Sequence, residues 1–121
     1  PNYGKTHQAA CQLIGKEALI MKGEGGEFEI NPERTTQCIF THRENIEKVP
    51  GIQSHFDDKY SEPSKQALLD LWKNESDEYG LHATLRTTAV VLMLKDKSLS
   101  FELALNKAQE LWSKRNLQAF S

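Results

Sequence analysis

Apolar residues follow two spacings along this chain, and each change of spacing predicts an element. His7, Ala10, Cys11 and Ile14 recur at i, i+3, i+4 and i+7. That spacing predicts a helix over residues 6–14 with this set on its apolar face and His7 at its core or boundary. Gly15 follows where helices commonly stop. Ala18, Leu19, Ile20 and Met21 form an unbroken apolar run that halts at Lys22-Gly23, the pattern of a short buried strand. Phe28 and Ile30 then alternate with Glu27 and Glu29, predicting a second extended piece with one wet face. Residues 35–41 are rich in β-branched and aromatic side chains and read as a third strand.

From residue 42 to 60 no period persists. Pro50-Gly51 is a turn signal, and the segment reads as a long connection of a kind that is often functional. Three helices are expected afterwards. The first starts at Ser61-Glu62-Pro63, with Pro63 in its first turn and a stripe of Ala67, Leu68, Leu71 and Trp72. The second runs over residues 79–94 and turns Leu81, Leu85, Ala89 and Leu92 inward. The third is capped by Ser98 or Ser100, carries Phe101, Leu105, Ala108 and Trp112, and ends with Lys114 and Arg115, which suit a helix C-terminus.

Composition narrows the class. The 121 residues are one domain's worth, with 38% hydrophobic residues and enough length to bury roughly two-thirds of the surface. No run reaches the roughly 18 apolar residues needed to span a bilayer, and no signal peptide leads the chain. The expectation is a cytoplasmic protein with no membrane partner. Cys11 and Cys38 lack metal-ligand spacing and read as reduced packing residues. A net charge of −2 argues against a domain that binds nucleic acid unaided. Strands come early and helices alone come late, whereas a complete α/β domain usually alternates them. The chain, which begins at Pro1, is therefore expected to be part of something longer.

Candidate chemistry concentrates after the first strand. Lys22-Gly23-Glu24-Gly25-Gly26 leads into Glu27 and Glu29. Glycines let a backbone approach a ligand, and carboxylates are the hard ligands that Mg²⁺ shares with substrate phosphates. Ligands of open α/β sheets bind at this end of a strand. The alternative is a surface hairpin with solvated glutamates. The four histidines show no spacing suited to a nucleophile or a zinc site.

The run Leu19-Ile20-Met21-Lys22-Gly23-Glu24-Gly25-Gly26 with Glu29 resembles the strand and loop of the anthranilate phosphoribosyltransferase family (glycosyl transferase family 3). Thr87-Thr88-Ala89-Val90-Val91-Leu92, then Ser100-Phe101-Glu102-Leu103-Ala104 and Ala108, resembles the family's two closing helices. Gly23, Gly26, Glu27, Asn31 and Pro32 are most similar to a divergent branch that includes nucleic-acid-binding members. The resemblance implies an α/β fold: the C-terminal part of a mixed, mainly parallel sheet flanked by helices, incomplete alone. It implies an N-terminal remainder bearing the diphosphate loop, and a homodimer.

The implied chemistry is phosphoribosyl transfer from phosphoribosyl diphosphate with Mg²⁺. Lys22, Gly23, Gly25 and Gly26 would meet phosphate, while Glu29, assisted by Glu27 or Glu24, would hold the metal. Phe28 stands where the family has an aspartate, and phenylalanine cannot ligate Mg²⁺. Thr87 and Lys22 replace an asparagine and a histidine. These departures point to degenerate catalysis, and this chain alone is expected to be inactive. The alternative expectation is a non-catalytic nucleic-acid-binding paralogue using Lys22, Arg34 and Arg86, with Arg43, Lys114 and Arg115 as further candidates. A third reading gives Trp72 and Trp112 an anchoring role in an oligomer.

Overall fold

Seven elements follow one another among the described residues of the computed structural model, which are 3–24, 29–52, 64–73 and 78–120. They are α1 (Tyr3–Leu13), β1 (Leu19–Gly23), β2 (Thr36–Phe40), β3 (Glu47–Val49), α2 (Lys65–Trp72), α3 (Glu78–Lys95) and α4 (Phe101–Ser113). The fold is mixed α/β, with a three-stranded sheet in the order β1-β2-β3. Both strand pairs are antiparallel, in contrast to the mainly parallel sheet that the family resemblance implies. Connection length gives the reason for one pair. Only six residues separate Phe40 from Glu47, too few for the crossover that a parallel neighbour requires.

Pleat alternation divides the sheet into two faces. Cys38 and Phe40 point to one side, where they join Val49 and Ile30 in a core with Leu85, Ala89, Val90 and Met93 of α3, Leu99, and Ala104 and Ala108 of α4. The two alanines let α4 approach α3 closely. Ile20 and Ile39 belong to the other side by the same alternation. Ile39 is buried yet lies outside that core, and α1 packs against both β1 and β2.

The helix α1 differs from its apolar pattern. Its buried residue is Gln8, while His7 and Ala10 are exposed and Ile14, just beyond its end, is 70% exposed. Two strand-end carbonyls explain the rotation. Gln8 Nε2 donates to the Phe40 carbonyl and Gln12 Nε2 to that of Thr41, both at 2.8 Å. An unmet buried carbonyl costs more than a solvated one, so the glutamines, not the apolar set, decide which side faces the sheet. Gly15 ends the helix as its sequence position suggests. Its φ of 71° is the left-handed conformation that glycine adopts freely. The Gly15 and Lys16 amides donate back to the Gln12 and Cys11 carbonyls, completing a Schellman cap.

The segment that shows no period contains β3, so the third strand is 47–49, while Glu29 and Ile30 belong to no strand. Phe28 and the proposed helix start at Pro63 lie outside the described residues. Ser64 caps α2 by accepting from the Ala67 amide, and Ser100, not Ser98, caps α4. The expected inward stripe of α3 holds for Leu85 and Ala89, which are buried, with Leu81 and Leu92 partly so. In α2, by contrast, Leu68 is 68% exposed.

Arg43 joins sheet to helices. Its Nη2 faces the carbonyls of Met93 (3.2 Å), Asp96 (3.3 Å) and Leu99 (2.9 Å), where α3 ends and α4 is about to begin. The carbonyls at a helix C-terminus lack intrahelical partners and carry partial negative charge, so a guanidinium is a fitting partner. Arg43 also lies 5.0 Å from the Phe40 ring centroid and 3.5 Å from the Glu47 carboxylate. Asp96 tightens the same turn by accepting from the Ser98 amide and hydroxyl. Those hydrogen bonds hold its carboxyl below the usual range. Their contribution is therefore present above the ordinary aspartate pKa and fades as pH falls through the lowered value.

A second junction fastens α2 to the end of α4. Arg115 Nε donates to the Trp72 carbonyl at 2.7 Å, and its guanidinium lies 3.9 Å from the Trp112 ring centroid. Trp72 Nε1 donates to the Asn116 carbonyl, and its ring meets Trp112 edge-on. Both tryptophans are thus engaged in packing within the chain.

Two outcomes follow from this packing. Arg43→Ala should lower unfolding free energy in urea titrations by about 3 kcal/mol, the scale of losing a charged group's hydrogen bonds to buried carbonyls. Burial pushes the Cys38 thiol up to about 12, while Cys11 is only half-buried. A thiol reagent at neutral pH should therefore modify Cys11 in the folded protein and reach Cys38 only after denaturation.

Candidate functional site

The apolar residues of β1 commit the strand to the sheet, and the glycine at its end stops the row of side chains. Register then sets what surrounds the exit. Lys22 lies opposite Gln37, and Gly23 opposite Thr36. Directly opposed residues share a sheet face, so the Lys22 and Gln37 side chains, both exposed, stand next to each other. With Gly23, Glu24 and Thr35 they line an open hollow of about 210 Å³. The hollow offers an ammonium, an amide, a hydroxyl and a single carboxylate. It can bind a small polar group by hydrogen bonds, and Lys22 gives it a cation.

Of the residues singled out in the sequence, Lys22, Gly23 and Glu24 meet at this hollow. Gly25, Gly26 and Glu27 lie outside the described residues. Glu29 is exposed in a bend and is not among the residues lining the hollow. Among the described residues no three His, Cys, Asp or Glu side chains gather where a metal could sit. The described donors thus supply one carboxylate lining the hollow and one apart from it. The described carboxylates by themselves do not complete a Mg²⁺ site.

Asn31 and Pro32, part of the family-like motif, have a structural task. Asn31 accepts from the Glu33 amide through its side chain and from the Arg34 amide through its carbonyl, closing a turn. Pro32 is fully buried, and its carbonyl accepts from the Ile52 amide at 2.6 Å. Gly51 lies against this turn so closely that a Cβ there would come 2.6 Å from the Arg34 nitrogen. Arg34 is exposed beside the turn, and Arg86 is buried on α3. Neither lines the hollow. The expected nucleic-acid set is also depleted by packing, since Arg43 and Arg115 are committed to carbonyls and rings, while Lys114 stays exposed and pairs with Glu110 at 2.7 Å.

Sequence reasoning missed a second hollow of about 420 Å³, lined by Gln8, Gln12, Thr41, His42, Arg43 and Glu44. At its rim His42 Nε2 is 3.2 Å from the Glu17 carboxylate, which also lies 3.9 Å from Lys97. The only signal in the sequence was the i, i+4 spacing of Gln8 and Gln12, two polar residues on a helix whose apolar set drew the attention.

No helix among the described residues is long and apolar enough to cross a membrane. No protein-family model, curated protein or solved structure matches the chain.

The close approach at Gly51 generates a prediction. Gly51→Ala should push the 31–34 turn away from residue 51 and cost about 1–3 kcal/mol of stability, the scale of overpacking, as read from a chemical denaturation midpoint.

Proposed function

We propose that this chain is the C-terminal segment of an anthranilate phosphoribosyltransferase-like protein, and that the hollow at the end of β1 receives a phosphate group of its ligand. The observation that carries the reading is the placement of exposed Lys22 beside Gly23, Thr35 and Gln37 at a strand end. An ammonium is a compact point charge suited to a phosphate oxygen, and the hydroxyl and amide add neutral donors. Glu24 on the rim opposes an anion, so the expected affinity is modest.

Catalytic transfer is not assigned to the chain. Phe28 replaces a ligating residue of the family pattern, and the described carboxylates do not assemble a metal site. The reading is thus of a phosphate-binding segment whose ancestral chemistry was phosphoribosyl transfer and whose partner is the N-terminal part of the protein. Nucleic-acid binding through the same hollow remains as the competing outcome of the test. It is the weaker reading because Arg43, Lys114 and Arg115 have intramolecular partners.

The experiment is titration of the chain with inorganic pyrophosphate and with phosphoribosyl diphosphate, followed by amide resonances of residues 22–24 and 35–37. Binding should perturb these residues, and Lys22→Ala should weaken it roughly tenfold, the loss of one charge-assisted contact. Unchanged binding in Lys22→Ala, or no perturbation in the parent chain, overturns the reading. Tight, steeply salt-dependent binding of an oligonucleotide, with no response to either diphosphate, would favour the nucleic-acid alternative.

A further inference from the structure

Arg86 has no role in the hollow at β1, yet it is a buried charge on α3. It lies on α3 in register with the buried residues Leu85, Ala89, Val90 and Met93, and is only 8% exposed. Its Nε is buried without a hydrogen-bond partner, and no carboxylate pairs with it among the described residues. Arg43 provides the contrast. Its Nε is likewise buried and unpartnered, but its Nη atoms have three carbonyls and a carboxylate. A guanidinium nitrogen withdrawn from water and left unpaired is costly, and burial correspondingly lowers the group's affinity for its proton.

One turn before Arg86, at i−4, stands His82, which is half-buried. Burial first, and then the charge of Arg86, lower the His82 pKa, while Glu78 raises it. At neutral pH the imidazole is thereby held neutral, so that this side of α3 presents one fixed cation and one weakly basic ring. Glu78, the acidic residue of the helix's first turn, is exposed.

We infer that Arg86 is the anchor of a second anion site, in which a phosphate or carboxylate oxyanion supplies the partner that its Nε lacks among the described residues. The planar fork of arginine, with its fixed N–H donors, accepts either oxyanion through paired hydrogen bonds. This site is independent of the function proposed above, since Arg86 does not line the hollow at β1 and needs neither Lys22 nor a metal.

The test uses inorganic phosphate, with sodium acetate as the carboxylate probe and sodium chloride at matched ionic strength as the control. Adding phosphate should shift the Arg86 Nε–Hε resonance and raise the His82 pKa measured from its ring protons, because a bound anion offsets the Arg86 charge. Chloride should do neither. Acetate reproducing the effect identifies a carboxylate ligand, whereas a response to phosphate alone identifies a phosphoryl group. Arg86→Met should abolish the phosphate response, raise the His82 pKa without any ligand, and leave Tm unchanged or a few degrees higher, because it removes an unpaired buried charge. A lowered Tm in Arg86→Met would make Arg86 structural and overturn the inference. So would an Nε–Hε resonance in the parent protein that responds equally to phosphate and chloride, and this second measurement requires no variant.

Discussion

The architecture depends on one guanidinium. Arg43 leaves the end of β2, turns over the Phe40 ring, and reaches the carbonyls that close α3 and precede α4. A single Nη2 carries two N–H bonds, so the three carbonyls share them, and the attraction is as much that of a charge for a helix C-terminus as of discrete hydrogen bonds. The consequence is geometric. The α3–α4 hairpin can present Leu85, Ala89, Val90 and Met93 to Cys38, Phe40 and Val49 only while the turn at Asp96–Leu99 is held near the sheet's end. Apolar burial supplies the favourable free energy, but it is non-directional. Arg43 fixes where the hairpin sits.

The same economy of charge recurs at the opposite end of the helices. Arg115 uses its guanidinium on two tryptophans and their carbonyls, where a surface arginine would otherwise be solvated. Two of the six cations named as nucleic-acid candidates, Arg43 and Arg115, are therefore engaged in holding elements together. Lys22, Arg34 and Lys114 remain exposed, and Arg86 is buried with no carboxylate partner among the described residues. Function is best sought where a charge lacks an internal use, because a folded chain that could have neutralised it gains nothing in stability from leaving it alone.

Local rules located much of the fold. The apolar run at 18–21, the β-branched stretch at 35–41 and the stripes of α3 and α4 became β1, β2 and the helical half of the core. The caps at Gly15 and Ser100 stand where composition suggested. Failures occurred where a long-range hydrogen bond outweighed a local pattern. Gln8 and Gln12 rotate α1 because strand-end carbonyls need donors, leaving His7 and Ile14 exposed. The short strand β3 has no period of its own because only Val49 of its three residues is buried. Its existence follows from pairing with β2.

For the site, the sequence by itself determined the chemical inventory: a strand that ends in Lys22-Gly23, glutamates after it, and a set of scattered arginines. Those facts follow from residue type and short spacing, which survive any folding. Which groups meet was decided only by the tertiary structure. Antiparallel register placed Gln37 beside Lys22, while Glu29, outside both strands, does not line the hollow. The turn at Asn31-Pro32 became a seat for Gly51. Helix packing sent Arg43 to a set of carbonyls and drew Arg86 into the interior with its Nε unpartnered. Pairing over fifty residues of separation, as between Arg43 and the 93–99 segment, leaves no periodic trace in a sequence, because it depends on where other elements have already brought the chain.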